Sequence, residues 1–258
     1  MKTFSDFRNT ILESSSFGAL PSPGQLDTSG RPCVYLGRST GGCQTPVSED
    51  YDDWKNEHQD QHLEVGRNLH DDQGNEEYDD KNPDHKAIRK YTDSSHGMNE
   101  RLYRSHMNGQ PDTRKLPLDS ALEKHKLKRD LDVYSGTSFN PGKIAAKHPD
   151  NILHLPAFTS TSIERDVAGA FSQKESSRTN VRNIIHFHLK KGQTGKYIGQ
   201  NDNIDGGREK QLSNVPAEHE FILPRDTTVK LHPHPDIHEG DNGETIQVWH
   251  AHPIDHKG

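Results

Sequence analysis

Apolar residues are scarce in this chain: 28% of its 258 residues are hydrophobic, and the mean hydropathy is −1.06. A chain this polar cannot pack along its whole length, so part of it is expected to stay unpacked. No apolar run approaches the ~20 residues of a membrane-spanning helix, and no apolar core precedes a small-residue cleavage site. The expectation is a soluble protein that is not conventionally secreted and has no membrane partner. Cysteine is nearly absent. Cys33 and Cys43 alone make neither a zinc site nor a disulfide framework, and they read as unpaired thiols in a reducing, cytoplasmic compartment. Positive charge is also lacking. With a net charge of −7 and a pI near 6.2, nothing draws the chain as a whole to a phosphate backbone, so nucleic acid is not an expected partner.

What is present is unevenly distributed. Phe4, Phe7, Ile11 and Leu12 share one helical face within residues 1–13. Residues 14–81 are rich in Ser, Gly, Pro, Asp, Asn and Gln without a sustained period, and read as loop or disorder, with transient helix between Tyr51 and Leu69. Order is expected from residue 82 to 258. Pro83 and Asp84 suit a helix start, followed by Ala87, Ile88 and Tyr91 at helical spacing. Further helices are expected around Met98–Leu102 and over Leu118–Leu127. The rest alternates in strand fashion: Leu131–Gly136, His154–Ser162, Asn183–Leu189, Glu220–Leu223, Thr227–Leu231 and Thr245–His250, with one short helix over Glu164–Ser172. Helices first and strands after indicate an α+β fold.

Three motifs carry chemistry. Glu218-His219-Glu220 leads into an apolar strand. In extended backbone its two carboxylates would share a face and raise one another's pKa. Phe158-Thr159-Ser160-Thr161-Ser162 is a hydroxyl run that could end a strand and cap the next helix through Ser162. Val133-Tyr134-Ser135-Gly136 is a strand running into glycine. Singly, each has a plain structural reading: a solvated strand end, a cap, and a common turn.

In this order they resemble the mono-ADP-ribosyltransferase toxin family, whose motifs run arginine, Ser-Thr-Ser, then Glu-x-Glu. The resemblance spans about Lys86 to Leu231 and includes Ile88, Tyr91, Ser95, Asn99 and Leu102 in the helical lead, Ala168 and Phe171, and Ile184–Leu189. It implies an α+β fold in which N-terminal helices precede two packed antiparallel sheets forming an NAD cleft. It also implies NAD as substrate, with transfer of ADP-ribose to protein arginine. By that resemblance Glu220 is the central catalytic carboxylate, Glu218 faces the arginine acceptor, and Ser160 holds the Glu220 rotamer. Tyr134, Ser135, Gly136, Thr161, Ser162 and Asn99 belong to the NAD site, with Thr161 and Ser162 stabilising the local backbone, Gly136 lying against nicotinamide, and Arg208–Ala217, hinged at Gly206-Gly207, presenting the target. One position departs from the family: Ser135 stands where an arginine would grip phosphates, and serine cannot reproduce a planar fork of donors. Arg129 and Lys143 are the nearest replacements in sequence. An NAD glycohydrolase, and a catalytically silent virion protein, are the alternatives.

Met1–Glu13 resembles the leader of proteins packaged in heads of large tailed phages, where cleavage follows an apolar-x-Glu triplet such as Ile11-Leu12-Glu13. That reading implies a monomer carried in the virion interior, then released into the host cytoplasm to modify host proteins. An ordinary amphipathic helix is the plainer alternative. The clustered histidines His232, His234, His238, His250, His252 and His256 lack an accompanying ligand set. They read as solvated strand ends, with no metal expected.

Overall fold

The computed structural model describes residues 63–254 apart from 149, 173, 177–178, 205–206 and 240–243. The 1–13 leader, both cysteines, Gly206 and His256 lie outside the described residues. The chain is helical at 63–73 (α1), inside the segment expected to be loop. Its apolar residues are few but correctly spaced. Val65 and Leu69, at i and i+4, pack into the main core, and Leu69 is 1% exposed. Two well-placed side chains were enough to dock a helix that composition alone had hidden.

Helix α2, Pro83–Met107, begins as its sequence suggests: Asn82 Oδ1 accepts the Asp84 amide at 2.9 Å and proline occupies the first turn. A non-helical Ser94 (φ −159°, ψ 62°) kinks it, so the two helices expected here are the two halves of one kinked element. Helix α3, Pro117–Glu123, follows. Then come β1 (Leu131–Thr137), α4 (Pro141–Ala145), β2 (Ile152–Leu155), β3 (Thr159–Ser162), α5 (Arg165–Phe171), β4 (Lys174–Ser176), β5 (Thr179–Leu189), β6 (Lys196–Tyr197), β7 (Glu220–Leu223), β8 (Thr227–Leu231), β9 (Asp236–Glu239) and β10 (Thr245–Pro253).

The α+β class is as the sequence indicated, but the sheet arrangement needs a correction. The strands form one ten-stranded sheet in the order β2-β8-β10-β5-β1-β3-β7-β6, with β4 on β5 and β9 on β10. Two packed antiparallel sheets were expected. The halves are instead joined through one directly opposed pair, Tyr134 on β1 and Ser162 on β3, and β10 runs parallel to β5. The eleven-residue β5 has β1 along one edge and β10 along the other, so both edges are used and the halves cannot separate there.

Side-chain alternation gives the sheet two faces. On the inner face Val133, Ile185, Phe187, Phe221, Leu223, Val229, Trp249 and Ala251 form the main core with α1. On the outer face of the β3–β7 half, Ile222 and Phe158 pack with Ile88, Tyr91, Leu102, Leu118 and Leu122 of α2 and α3. Asp119 of α3 clamps the β7–β8 turn through Arg225 Nε at 2.9 Å, with both side chains largely buried. Among the described residues no helix is long and apolar enough to cross a membrane.

Candidate active site

One row of directly opposed residues crosses the outer face of five strands. Glu220 faces Ser162, Ser162 faces Tyr134, Tyr134 faces His186, and His186 faces His250. At ~4.8 Å per strand, His186 lies about 14 Å along the sheet from Glu220. All the chemistry-bearing motifs therefore meet on one surface.

At one end, Glu220 is 7% exposed. Ser160 hydrogen-bonds its carboxylate, and the Ser160 hydroxyl lies 3.0 Å from Tyr91 Oη. Asn99 Nδ2 donates to the Phe158 carbonyl at 3.0 Å and approaches Tyr91 Oη at 3.4 Å. Burial pushes the Glu220 carboxyl up to about 7, with the Ser160 hydrogen bond opposing the shift and the Glu218 charge reinforcing it. Burial likewise drives the Tyr91 hydroxyl far above its ordinary range, and Glu220 adds to the effect, so Tyr91 stays a neutral hydrogen-bonding group. Tyr91 was legible only as an apolar helix position; its hydroxyl completes the chain from Asn99 to Glu220. Asn99 Oδ1 is buried without a partner, an acceptor left over at the site.

The hydroxyls of Thr161 and Ser162 bond to backbone. Both residues are 4% exposed. Thr161 Oγ1 donates to Phe221 O at 2.6 Å, and Ser162 Oγ donates to Glu218 O at 2.8 Å while accepting the Glu164 amide at 3.0 Å. Committed to backbone on both sides, they brace the approach to β7. Ser162 does not cap α5 either, since the cap position is Glu164 and carries no side-chain cap bond.

Glu218 and Glu220 do not alternate along a strand. Glu218 closes a 3-10 turn, Pro216–Glu218, and His219 takes a left-handed conformation (φ 46°, ψ 44°) before β7 begins. A non-glycine residue there costs about 1 kcal/mol or more and persists because its side chain is tied down. His219 Nδ1 lies 3.0 Å from Tyr197 Oη, and Nε2 lies 3.3 Å from Glu164 Oε1. Burial raises the Glu218 carboxyl to about 6; burial first, and then the Asp166 charge, raises Glu164 to about 7. Arg89 reaches across to the carbonyl of Glu209 at 3.0 Å and sits over the Tyr78 ring, anchoring the loop that leads into this turn.

The first motif has a packing reason of its own for glycine. A Cβ on Gly136 would lie 2.2 Å from Ala168 O and 2.4 Å from Ser172 N. The glycine is required by the C-terminal turn of α5 packing on β1, and a nicotinamide contact is not needed to explain it. Ser135 donates Oγ to Ser160 O at 2.9 Å, tying β1 to β3 where their ladder has a single opposed pair. Arg129 lies in the bend before β1 with its Nε paired to Asp72 at 2.8 Å, and so is engaged at the start of that strand and away from Ser135. Lys143 sits in α4, beyond the other end of β1. The cation felt by Tyr134 is Arg165, the first residue of α5, which opposes the upward shift that burial and Asp132 impose on the Tyr134 hydroxyl.

At the far end of the row the histidines converge. His186 and His188 of β5 stand beside His250 of β10, with ring centroids 4.1–5.1 Å apart. Tyr134 stacks on His186 at 4.4 Å, and His252 stacks on His188 at 4.8 Å. His250 and His252 had read as a solvated strand end. Their partners on β5 were separated from them by about sixty residues, and only the parallel pairing reveals the group.

A kinked helical cap over a Ser-Thr-Ser strand, paired with a strand entered through Glu-x-Glu, places this fold and site in the class of toxin-type ADP-ribosyltransferases. Over residues 48–249 the chain matches the ADP-ribosyltransferase exoenzyme family, and it belongs to that family. It is 35% identical over 111 residues to the NAD(+)–arginine ADP-ribosyltransferase EFV of Enterococcus faecalis, a match covering 42% of this chain and 19% of that protein. The chain thus spans about a fifth of that relative's length. Similar solved structures include Plx2a, an ADP-ribosyltransferase toxin from Paenibacillus larvae (18% identity, TM-score 0.45, covering 82% of this chain and 100% of that one). Another is C3stau2 from S. aureus with NAD (18% identity, TM-score 0.48, covering 75% and 95%).

Proposed function

We propose that this chain is a mono-ADP-ribosyltransferase that cleaves NAD and passes ADP-ribose to an arginine of a protein acceptor. The observation that carries this reading is the buried Glu220, held by the hydroxyl chain from Asn99 through Tyr91 and Ser160, two residues after a second carboxylate. Family membership supports the reaction class, and the arginine named as acceptor for the E. faecalis relative supports the acceptor.

The bond that breaks joins nicotinamide to ribose. Nicotinamide leaves with the electron pair as a neutral base, and positive charge develops on the sugar. An ionised Glu220 facing that charge would stabilise the transition state more than the ground state, which is what acceleration requires. A guanidinium nitrogen then bonds to the anomeric carbon and loses one proton. Glu218, partly desolvated and poised to about 6, is the group placed to accept it. Burial supplies the energetic asymmetry: a desolvated carboxylate interacts strongly with a developing cation. The unpaired Asn99 Oδ1 is an acceptor suited to an amide or hydroxyl of the substrate, and Arg165 is the cation best placed to serve phosphates in the absence of an arginine at 135.

The test is incubation of the protein with labelled NAD and a bacterial lysate, alongside Glu220→Gln and Glu218→Gln. Label on protein that hydroxylamine releases, lost in both variants, is the expected result. Free ADP-ribose without labelled protein would replace the transferase with a glycohydrolase. The absence of both products and of NAD binding would favour a silent fold, the reading to which Ser135 lends weight.

A further inference from the structure

We propose that His186, His188 and His250 bind one divalent transition-metal ion of the zinc type, with Asp132 and Asp236 orienting two of the rings. The inference is independent of the transferase reading.

The donor set is fixed by strand register. His250 lies directly opposite His186 across the parallel β5–β10 pair, His188 is two residues along on the same face, and Asp132 lies opposite His188 on β1. One nitrogen from each of the three rings lies within 4.8 Å of the others. Bonds of about 2.0–2.1 Å in a tetrahedral set separate ligand nitrogens by roughly 3.3 Å. His188 Nε2 and His250 Nδ1 are 2.8 Å apart, so opening them by about half an ångström, within reach of small ring rotations, admits an ion.

The orientation of the rings is the stronger argument. His188 Nδ1 lies 2.7 Å from Asp132 Oδ1, and His250 Nε2 lies 2.8 Å from Asp236 Oδ2. A carboxylate only accepts, so both of those nitrogens carry hydrogen. Their other nitrogens, His188 Nε2 and His250 Nδ1, then point at each other, and something positive, a proton or a metal, must lie between them. Carboxylate behind imidazole, with the free nitrogen aimed inward, is how metal-binding histidines are held in the correct tautomer. His186 supplies a third nitrogen. Its Nε2 is buried and lies 3.3 Å from Asp132 Oδ1, the same carboxylate oxygen that His188 Nδ1 meets.

Imidazole donors select zinc, copper or nickel over magnesium or calcium, which prefer all-oxygen sites. The three side chains are 14%, 24% and 26% exposed, leaving an approach from solvent and a fourth position for water. An ion here would also fix His186 and, through the 4.4 Å ring stack, Tyr134 beside the candidate active site.

The experiment uses the full chain after chelator treatment, titrated with Zn²⁺ against a chromophoric competitor and separately with Co²⁺. One ion is expected, with the intense visible absorption of tetrahedral Co²⁺ and a melting temperature raised on the order of 5 °C at saturating Zn²⁺. His186→Ala/His188→Ala/His250→Ala should abolish this binding. Asp236→Asn, a change at an exposed carboxylate, should weaken affinity about 10- to 100-fold without a loss of fold. Failure of the wild type to bind an ion overturns the proposal. So does binding of equal strength in the Asp236→Asn and triple variants, which would put the ion on other histidines.

Discussion

The two ends of the outer-face row are built from opposite materials. The Glu220 end is a carboxylate sunk beneath two helices and held by neutral hydroxyls and amides, with burial raising its pKa to about 7. The His186 end is a set of partly exposed rings flanked by exposed carboxylates, with burial and neighbouring His188 lowering His186 to about 4. Both ends suppress charge, one on an acid and one on a base. Desolvation is the shared cause, and the sign of the titrating group decides the direction. The buried acid gains reactivity toward a developing cation. His186 keeps a neutral ring, whose lone pair is what a metal requires.

The sharpest way to break this comparison is to neutralise the buried acid. Glu220→Gln should lower kcat about 10³-fold with little change in KM for NAD, if the carboxylate acts mainly on the transition state. An equal rise in KM would make it a binding residue instead. Next in size is Gly136→Ala, where the new methyl would meet backbone atoms of α5 that cannot rotate away. A loss of about 1–3 kcal/mol in urea unfolding is expected. A neutral result would mean that α5 is free to shift.

Acid–base titration of stability separates the two ends more finely. The folded-state pKa of Glu220 lies above its ordinary 4.5, so its contribution is fully present below 4.5 and is lost as pH rises through about 7. For His186 the folded value lies below its ordinary 6.5, so its contribution is present above 6.5 and is lost as pH falls through about 4. The two slopes oppose each other over nearly the same window. Melting curves from pH 4 to 8 should therefore show Glu220→Gln gaining stability relative to wild type toward pH 8, and His186→Gln gaining toward pH 4. Parallel curves for both variants would refute the assignment. Smaller again is Tyr91→Phe: loss of one buried hydroxyl contact should cost roughly 1 kcal/mol and slow turnover up to about tenfold, because Ser160 loses a partner. Smallest is Asp236→Asn without metal, expected to leave the urea unfolding midpoint unchanged because its carboxylate is exposed.

Much of the fold was legible where apolar spacing was regular. The strands Glu220–Leu223 and Thr227–Leu231 were visible as short β-branched runs, and α5 differs from its expected bounds by one residue at each end. The helix at 63–73 was legible only as transient helix up to Leu69, because only two of its apolar residues pack in the core and a polar background swamps so short a period. Nor was β9, whose Asp236–Glu239 carries no alternation and is a strand only because β10 offers it an edge. At the site, Ser160 and Glu220 could be marked from motifs. Tyr91 could not, since helical spacing assigns it to a core and says nothing of where its hydroxyl ends.

The sequence alone settled the α+β order of elements and the acidic pair, because these depend on residue type and local spacing, while the reaction class to be tested came from the resemblance its motifs carry to a known family. Tertiary structure decided what each group faces. It turned Glu218 into a 3-10 turn, committed Thr161 and Ser162 to backbone, set α5 against Gly136, and brought His250 beside His186 from sixty-four residues away. Local pattern fixes which side of a strand a residue occupies. Which strand lies next to it is chosen by the packing of the whole chain, and proximity between distant residues, on which pKa shifts and ligand sets depend, appears only then.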